Sequence, residues 1–371
     1  QAWMMAAGAP LWRAIFGLTR QADGFFRSSI LSRAELSQVW LGDSEGRSMY
    51  GGLLLAQAMS AAAASAVSDA ECLADSGLRF DSLSAYFLRA GAHTESVRYL
   101  VESLSRSSGY NGCHVLRVTA FQAGPTSPIL LCQIAFTRSQ PISAFGAIDP
   151  QDESSSSQPI SAVGAIDPQD ESSSSQPISA CPLPEVLPKQ ESFLAAQLHS
   201  TNLLSQKQRN YIEKRLCEAR TSAIELRPCN PFEFFRLSPA AQPSVEFWIR
   251  LKAEFFANKH AALTPLQKQI LMLFLSDKGL LRGGEVTRPD ERFHRKASLD
   301  HRIAFHELDV DPFEWSLYRA SCIRAARSHR LNVGRLWSLT GRQIITASQQ
   351  SFTATTAAAA ARNSSTESSK L

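Results

Sequence analysis

The stretch that begins at Gly51 constrains the fold of this 371-residue chain most strongly. Two glycines are followed by three leucines, Met59 and a run of alanines, which predicts a helix that can be buried on nearly every side. Such a helix has no polar face to offer to solvent, so other elements must surround it. Its small side chains allow a sheet to approach closely. The sequence therefore predicts a central helix with a sheet wrapped around it.

Four strand-like stretches follow this helix. They lie near 78–88, 97–104, 114–121 and 129–137, each with partial alternation of apolar and polar residues and with Gly or Ser clusters between them. A run of strands without intervening helices separates this chain from the alternating pattern of a doubly wound fold. The predicted class is α+β with an antiparallel sheet.

The second half of the chain repeats this order in outline. A strand near 245–251 precedes a helix predicted from Thr264 to about Leu280. Further strands are predicted near 297–306, 313–324, 331–338 and 342–350. Outside the two halves, the first 20 residues predict a short packing helix, and 190–220 predict linker helices. We expect the halves to lie side by side with their sheets joined.

An 18-residue repeat separates the two halves. The sequence QPISAFGAIDPQDESSSS at 140–157 recurs at 158–175 with one change, Phe145 to Val163, and a third copy begins at Gln176. Segments so rich in Ser, Pro and acidic residues cannot bury enough apolar surface to offset the entropy lost on ordering. We predict that 140–188 is a disordered insertion.

Three polar residues of the second half are candidates for chemistry. Asp277 lies on the apolar stripe of the predicted helix, where a bare carboxylate costs several kcal/mol unless it is protonated, paired or hydrogen-bonded. Ser298 and Gln349 lie on predicted strands, so an acid, a hydroxyl and an amide can meet in one pocket. On the residues alone, a structural ion pair explains Asp277 equally well. Ser298 and Gln349 are then ordinary strand residues.

Six motifs resemble the acyl-CoA thioesterase II family in order and spacing, from about Gly24 to about Phe352 apart from the insertion. They are YGGLLLAQAMSAA, LSAYFLRAG, LMLFLSDKGLL, KASLDHRIAFHE, FEWSLY and TGRQIITASQQ. The resemblance implies a double hot-dog fold, in which two tandem units each wrap an antiparallel sheet around a long central helix. It also implies hydrolysis of acyl-CoA thioesters to free fatty acid and coenzyme A. The family's catalytic Asp, Ser/Thr and Gln correspond to Asp277, Ser298 and Gln349.

The implied mechanism uses water as the nucleophile. Asp277 acts as the general base or orients the water, and Ser298 and Gln349 hold the water by hydrogen bonds. Gly51 and Gly52 are candidate substrate-binding residues, because the N-terminus of a helix can present backbone N–H groups to a thioester oxygen. Close packing of that helix end explains the two glycines equally well.

Neither a metal nor a cofactor is expected. His294, His301 and His306 have no recognised metal spacing, so we predict ordinary structural or surface histidines. Ser298, Asp300 and His301 cannot form a hydrolase triad on a regular strand, because neighbouring residues point to opposite faces. The chain has no Gly-rich loop of the type that cradles nucleotide phosphates.

Two other functions compete with hydrolysis at Asp277. The segment GDSEG around Ser44 matches the G-x-S-x-G elbow of serine hydrolases, but that motif needs a helix immediately after it. The next predicted helix starts only at Gly51. The other rival is a non-catalytic acyl-CoA-binding protein of the same fold, against which the retention of all three polar residues argues.

Composition excludes several partners. The formal charge of +4 is small, and the basic residues are scattered rather than interleaved with aromatics, so nucleic acid is not expected. No run approaches the ~18 apolar residues of a membrane span. The seven cysteines include no CxxC pair, which indicates neither a disulfide framework nor a zinc site and favours a reducing compartment. The composition is also compatible with a homo-oligomer.

The chain thus divides into four predicted segments. They are 1–139, the N-terminal helix and first hot-dog unit; 140–188, the insertion; 189–352, linker helices and the second hot-dog unit; and 353–371, a flexible tail. The tail ends in Ser369-Lys370-Leu371, the tripeptide that the peroxisomal import receptor binds. The expected location is the peroxisome matrix, and the expected partners are an acyl-CoA substrate and that receptor.

Overall fold

The computed structural model describes residues 10–32, 35, 48–67, 78–106, 113–122, 124, 127–138, 181–200, 204–238, 241–256, 263–286, 293–326 and 328–355. The helices are α1 (Pro10–Phe16), α2 (Gly51–Val67), α3 (Gln190–Ser200), α4 (Gln206–Thr221), α5 (Pro231–Phe234), α6 (Pro265–Ser276) and α7 (Leu280–Val286), with a 3₁₀ turn at Ala253–Phe256. The strands are β1 (Thr19–Arg20), β2 (Phe26–Arg27), β3 (Leu78–Phe87), β4 (Arg98–Arg106), β5 (His114–Phe121), β6 (Pro128–Arg138), β7 (Ile224–Pro228), β8 (Ser244–Leu251), β9 (Phe293–Ser298), β10 (Asp300–Phe305), β11 (Ser316–Ala326), β12 (His329–Ser338) and β13 (Gln343–Thr355). None of the described helices is long and apolar enough to cross a membrane.

The described strands form one antiparallel sheet. Their order is β1-β2-β4-β5-β6-β3-β10-β13-β12-β11-β8-β7, and β9 also pairs with β13. The two halves meet at β3 and β10, where Tyr86 lies opposite Asp300 and Ser82 lies opposite Ala304. The prediction of two halves with joined sheets is confirmed.

Helices α2 and α6 are the two central helices that the sheet surrounds. Residues 52–63 of α2 are all buried, and so is every residue of α6 from Leu266 onward except Lys268. The two helices touch, because a Cβ atom added to Gly52 would lie only 2.6 Å from the carbonyl oxygen of Phe274. The absence of a side chain at Gly52 therefore permits this close packing.

The second central helix is shorter than predicted. It begins after a capping box formed by Thr264 and Gln267, ends at Ser276, and is followed by a turn before α7. Gly279 makes the turn with a φ of +93°, a conformation that favours glycine. The predicted helix to Leu280 is therefore wrong at its end, because apolar spacing continues through the turn. Asp277 caps α6 and does not lie within a helix.

A disulfide joins Cys181 to Cys229, contrary to the expectation from cysteine spacing. Its two cysteines are 48 residues apart in sequence and meet only because the segment from Cys181 packs on β8. The Trp248 indole donates to the Pro182 carbonyl oxygen at 2.8 Å. The predicted insertion boundary at 188 is thus too late, since the described chain already resumes at Cys181.

One predicted boundary shifts, and three predicted features lie outside the described residues. Strand β13 continues to Thr355, so the predicted tail starts later than 353. Ser44 and the terminal tripeptide Ser369–Leu371 lie outside the described residues, as does 140–180. The serine-hydrolase elbow, the import signal and the bulk of the insertion stay predictions.

The turn at Gly279 provides a stability test. A Cβ atom there would lie 2.4 Å from the ring of buried Phe247, whereas a Cβ on Gly24, whose φ is +83°, would meet no atom within 4 Å. Both alanine variants have an unfavourable positive φ that costs roughly 1–2 kcal/mol. Gly279→Ala should lose about 1–3 kcal/mol more than Gly24→Ala, owing to the clash. Urea denaturation of the two variants measures the difference, and equal losses would contradict the close contact with Phe247.

Candidate active site

Asp277 is held where the two central helices meet. Its Oδ2 accepts the backbone N–H of Gly52 at 2.9 Å, and only 7% of its side chain is exposed. The positive end of the α2 dipole therefore faces the carboxylate and stabilises its negative charge. A Cβ on Gly51 would lie 2.8 Å from Oδ2, so a larger residue would block this approach.

Gln349 supplies the second donor to this carboxylate. Its Nε2 donates to Asp277 Oδ1 at 2.8 Å, and its side chain is completely buried on β13. Its Oε1 is buried and has no hydrogen-bond partner among the described residues. The Gln349 amide therefore binds Asp277 on one side and keeps a free acceptor on the other.

A β-bulge separates β9 from β10. Ser298 pairs with Ser351, whereas Arg302 pairs with Ser348. An advance of four residues along β9 and β10 therefore corresponds to only three residues along β13. One extra residue in a strand interrupts the alternation of faces. The prediction of one continuous strand over 297–306 is therefore wrong at Leu299, where the bulge interrupts the strand.

The bulge changes which side chains share a face. The side chain of Asp300 accepts the backbone N–H of Gln350 at 2.6 Å, which fixes the bulge against β13. Continuing the register of β10 places His301 opposite Gln349, and residues directly opposite each other share a face. Ser298 shares that face as well, through its pairing with Ser351. The expectation that Ser298 and His301 point to opposite faces is wrong.

His301 is a site residue that the sequence analysis missed. It is completely buried, with Nδ1 lying 3.0 Å from Gln349 Nε2 and 3.6 Å from Asp277 Oδ1. Burial lowers the pKa of His301 below its ordinary value, although the nearby carboxylates of Asp277 and Asp300 oppose that shift. Its neutral imidazole is therefore favoured. Regular strand alternation predicted the opposite face for His301. Only the position of the bulge would have indicated that its side chain belongs to the site.

Ser298 lies on the same face of the sheet as Gln349 and makes no direct bond to the Asp277–Gln349 pair. Its strand neighbour Ser351 accepts a hydrogen bond from Asn332 Nδ2 at 3.1 Å. In the part of the chain that the structure describes, no hydrogen bond joins Ser298 to Asp277 or Gln349. The structure thus brings Asp277 and Gln349 into contact and places Ser298 on the same face, while the catalytic roles stay predictions.

Two tyrosines hold the end of α6 that carries Asp277. The Tyr50 hydroxyl donates to the carbonyl oxygen of Phe274 at 2.9 Å, and the Tyr318 hydroxyl donates to that of Ser276. Burial, with the Asp277 carboxylate as a second cause, raises the pKa of both tyrosines well above the ordinary value. Both hydroxyls therefore remain protonated donors that satisfy carbonyl groups in the last turn of the helix.

Two surface cavities among the described residues lie elsewhere. One, of about 360 Å³, is lined by residues including Arg27 and Phe121; the other, of about 520 Å³, includes Arg250 and Phe313. Asp277 lines neither. The candidate site is therefore identified by its buried polar geometry rather than by cavity size.

One described group combines side chains of metal-ligand type. It consists of Cys181, Cys229 and Glu246. The two sulfurs are bonded to each other, and Glu246 pairs with Arg319, so these groups are already engaged. The three side chains of this group therefore do not support a metal site.

Comparison with known proteins gives a family match for the second half of the chain. Residues 204–353, which contain Asp277, Ser298 and Gln349, match the family model of the acyl-CoA thioesterase C-terminal domain. The second half of the chain is therefore similar to an acyl-CoA thioesterase C-terminal domain. No curated protein sequence gives a significant match.

Solved structures show the same fold over nearly the whole chain. The TesB protein of Mycobacterium avium subsp. paratuberculosis is 19% identical, with 92% of this chain and 97% of that one covered and a TM-score of 0.56. The acyl-CoA thioesterase II TesB2 of Mycobacterium marinum is also 19% identical, with 92% and 98% covered and a TM-score of 0.54. A hot-dog-fold protein of Alicyclobacillus acidocaldarius is 13% identical, with 92% and 97% covered and a TM-score of 0.54. The predicted double hot-dog fold is confirmed.

The hydrogen bond from Tyr50 to the end of α6 provides a test of stability. Tyr50→Phe removes the donor to the Phe274 carbonyl, and a lost buried hydrogen bond costs about 1–3 kcal/mol. The midpoint of thermal unfolding should fall by several degrees. Tyr86→Phe is the matched control, because that side chain is half exposed and should leave the midpoint nearly unchanged. A Tyr50→Phe protein as stable as the control would show that this bond contributes nothing.

Proposed function

We propose that this protein hydrolyses acyl-CoA thioesters to a free fatty acid and coenzyme A, with water as the nucleophile. The observation that carries the proposal is the buried Asp277 carboxylate, fixed by Gly52 from one unit and Gln349 from the other. The match of 204–353 to an acyl-CoA thioesterase domain supports the substrate class. Thioester hydrolysis needs a base that is held rigidly beside the reacting carbonyl, and this contact provides one.

The proposed step begins with a water molecule between Asp277 and Gln349. Both the carboxylate and Gln349 Oε1 accept hydrogen bonds, so the water donates to both and turns a lone pair toward the thioester carbonyl carbon. Asp277 takes one proton as the new C–O bond forms. When the tetrahedral intermediate collapses, the C–S bond breaks and the leaving sulfur receives that proton. The carboxylate is then regenerated, and the acid and the thiol of coenzyme A are released.

Ser298 and the two glycines take supporting roles in this proposal. Ser298 lies on the same face as Gln349 and contributes a hydroxyl on the side where the water is held. The N–H of Gly52 orients the Asp277 carboxylate, so it is not also assigned to the thioester oxygen. Gly51, which is partly exposed at the start of α2, keeps the proposed contact with that oxygen.

Thiol release from acyl-CoA esters of short, medium and long chains tests the proposal. Asp277→Asn retains shape and hydrogen bonding but cannot accept a proton, so kcat should fall by roughly 10²- to 10⁴-fold while acyl-CoA still binds. Asp309→Asn is the control for the substitution type, because Asp309 is exposed in the connection between β10 and β11. A wild-type protein that binds acyl-CoA and releases no thiol would instead identify a non-catalytic binding protein.

The three polar residues should act as a unit. Ser298→Ala and Gln349→Ala should each reduce kcat less than Asp277→Asn does. Because all three act on one water, the triple variant should lose much less than the product of the single losses. Ser44→Ala should retain wild-type turnover. An inactive Ser44→Ala protein, with Asp277→Asn still active, would transfer the chemistry to the serine-hydrolase elbow.

A further inference from the structure

The hydrogen bond between His301 and Gln349 defines the tautomer of the buried ring. His301 Nδ1 lies 3.0 Å from Gln349 Nε2, and an amide nitrogen can only donate. Nδ1 must therefore be the acceptor, and the proton of the neutral imidazole resides on Nε2. This Nε2 is buried and has no hydrogen-bond partner among the described residues.

The same bond fixes the orientation of the Gln349 amide. The two N–H groups of its NH2 are directed to Asp277 Oδ1 at 2.8 Å and to His301 Nδ1 at 3.0 Å. In the flipped orientation, Gln349 Oε1 would face the Asp277 carboxylate oxygen at this short distance, and two acceptors would meet. The carboxylate thus fixes the amide orientation, and Oε1 is left as an acceptor with no partner among the described residues.

We propose that His301 is a positioning residue that acts through Gln349. By accepting one N–H of the Gln349 amide, the neutral ring keeps Oε1 presented to the nucleophilic water beside Asp277. This inference rests on the proposed hydrolysis, because the water is part of that mechanism. It adds a fourth side chain to the three that the family resemblance implies.

Protonation of the ring would reverse this arrangement. A charged imidazole carries a proton on Nδ1, which cannot accept from Gln349 and would turn to Asp277 Oδ1, 3.6 Å away. The amide would lose one anchor, and the base would acquire a positive neighbour. The carboxylates whose charges act on the ring are Asp277, from the turn after α6, and Asp300, the preceding residue on β10. Burial keeps the ring neutral against both, so activity should persist into weakly acidic solution.

Two replacements of His301 separate positioning from packing. His301→Asn places a side-chain oxygen near the position of Nδ1 and can still accept from Gln349, although it is smaller than the ring. His301→Leu fills more of the ring volume but offers no acceptor. If His301 positions the amide, kcat should fall about 10- to 100-fold in the Leu variant and only a few-fold in the Asn variant, with KM nearly unchanged. A packing role predicts the reverse order and would overturn the proposal.

His306 provides the matched control for this pair. It lies just after β10, is exposed, and its Nε2 contacts the Thr346 hydroxyl at 2.8 Å. His306→Asn should leave kcat unchanged. Thermal unfolding of all variants shows whether each is folded at the assay temperature.

A double-mutant cycle tests whether His301 acts through Gln349. In the Gln349→Ala background, His301→Leu should cause almost no further loss of kcat, because there is no amide left to position. Equal losses in both backgrounds would overturn the proposal. Asp309→Asn in the same background is expected to be silent.

A readout without substrate separates this inference from the proposed function. Nitrogen-15 spectra of the histidine rings should show that His301 is still the neutral Nε2–H tautomer at its ordinary pKa of about 6.5, because burial lowers the pKa of the ring. Gln349→Ala should shift the Nδ1 signal. A wild-type protein without thioesterase activity but with these signals would refute hydrolysis and retain the His301–Gln349 contact. An Nδ1–H tautomer, or titration near pH 6.5, would overturn the contact whatever the activity.

Discussion

The hydrogen bonds to the Asp277 carboxylate connect the two halves of this protein. One donor, Gly52, comes from the first unit, and the other, Gln349, comes from the last strand of the second unit. A buried carboxylate is costly without donors, so the acid is tolerated only when both units are packed together. The candidate site therefore depends on the assembled double unit, since neither half contains both donors.

Close contact between the central helices makes this arrangement possible. The N-terminus of α2 reaches the last turn of α6 because Gly51 and Gly52 leave no side chains in the way. The hydroxyls of Tyr50 and Tyr318 then satisfy carbonyl groups at the end of α6. Packing, helix capping and charge placement thus converge on Asp277, and each constrains the position of its carboxylate.

Buried polar side chains form a row across the inner face of the sheet. His301, Gln349 and Asn332 occupy neighbouring strands β10, β13 and β12, and all three are completely buried. The register of β12 and β13 sets Asn332 opposite Gln349, and the bulge before β10 brings His301 to the same row. In a low-dielectric interior such a network fixes side-chain orientation strongly, and any unpaired member is costly. A buried polar row of this kind is expected where function outweighs stability.

The sequence by itself determined the two buried helices, the strands and the joined halves, because apolar periodicity records which faces are buried. It also indicated Asp277 and Gln349, the first as a carboxylate on an apolar stripe and both by resemblance. Only the tertiary structure decided that Asp277 ends its helix, that a bulge at Leu299 turns His301 inward, and that Cys181 meets Cys229. Periodicity describes near neighbours along the chain. These features depend instead on which distant segments pack together, and that is settled only when the whole sheet closes around both helices.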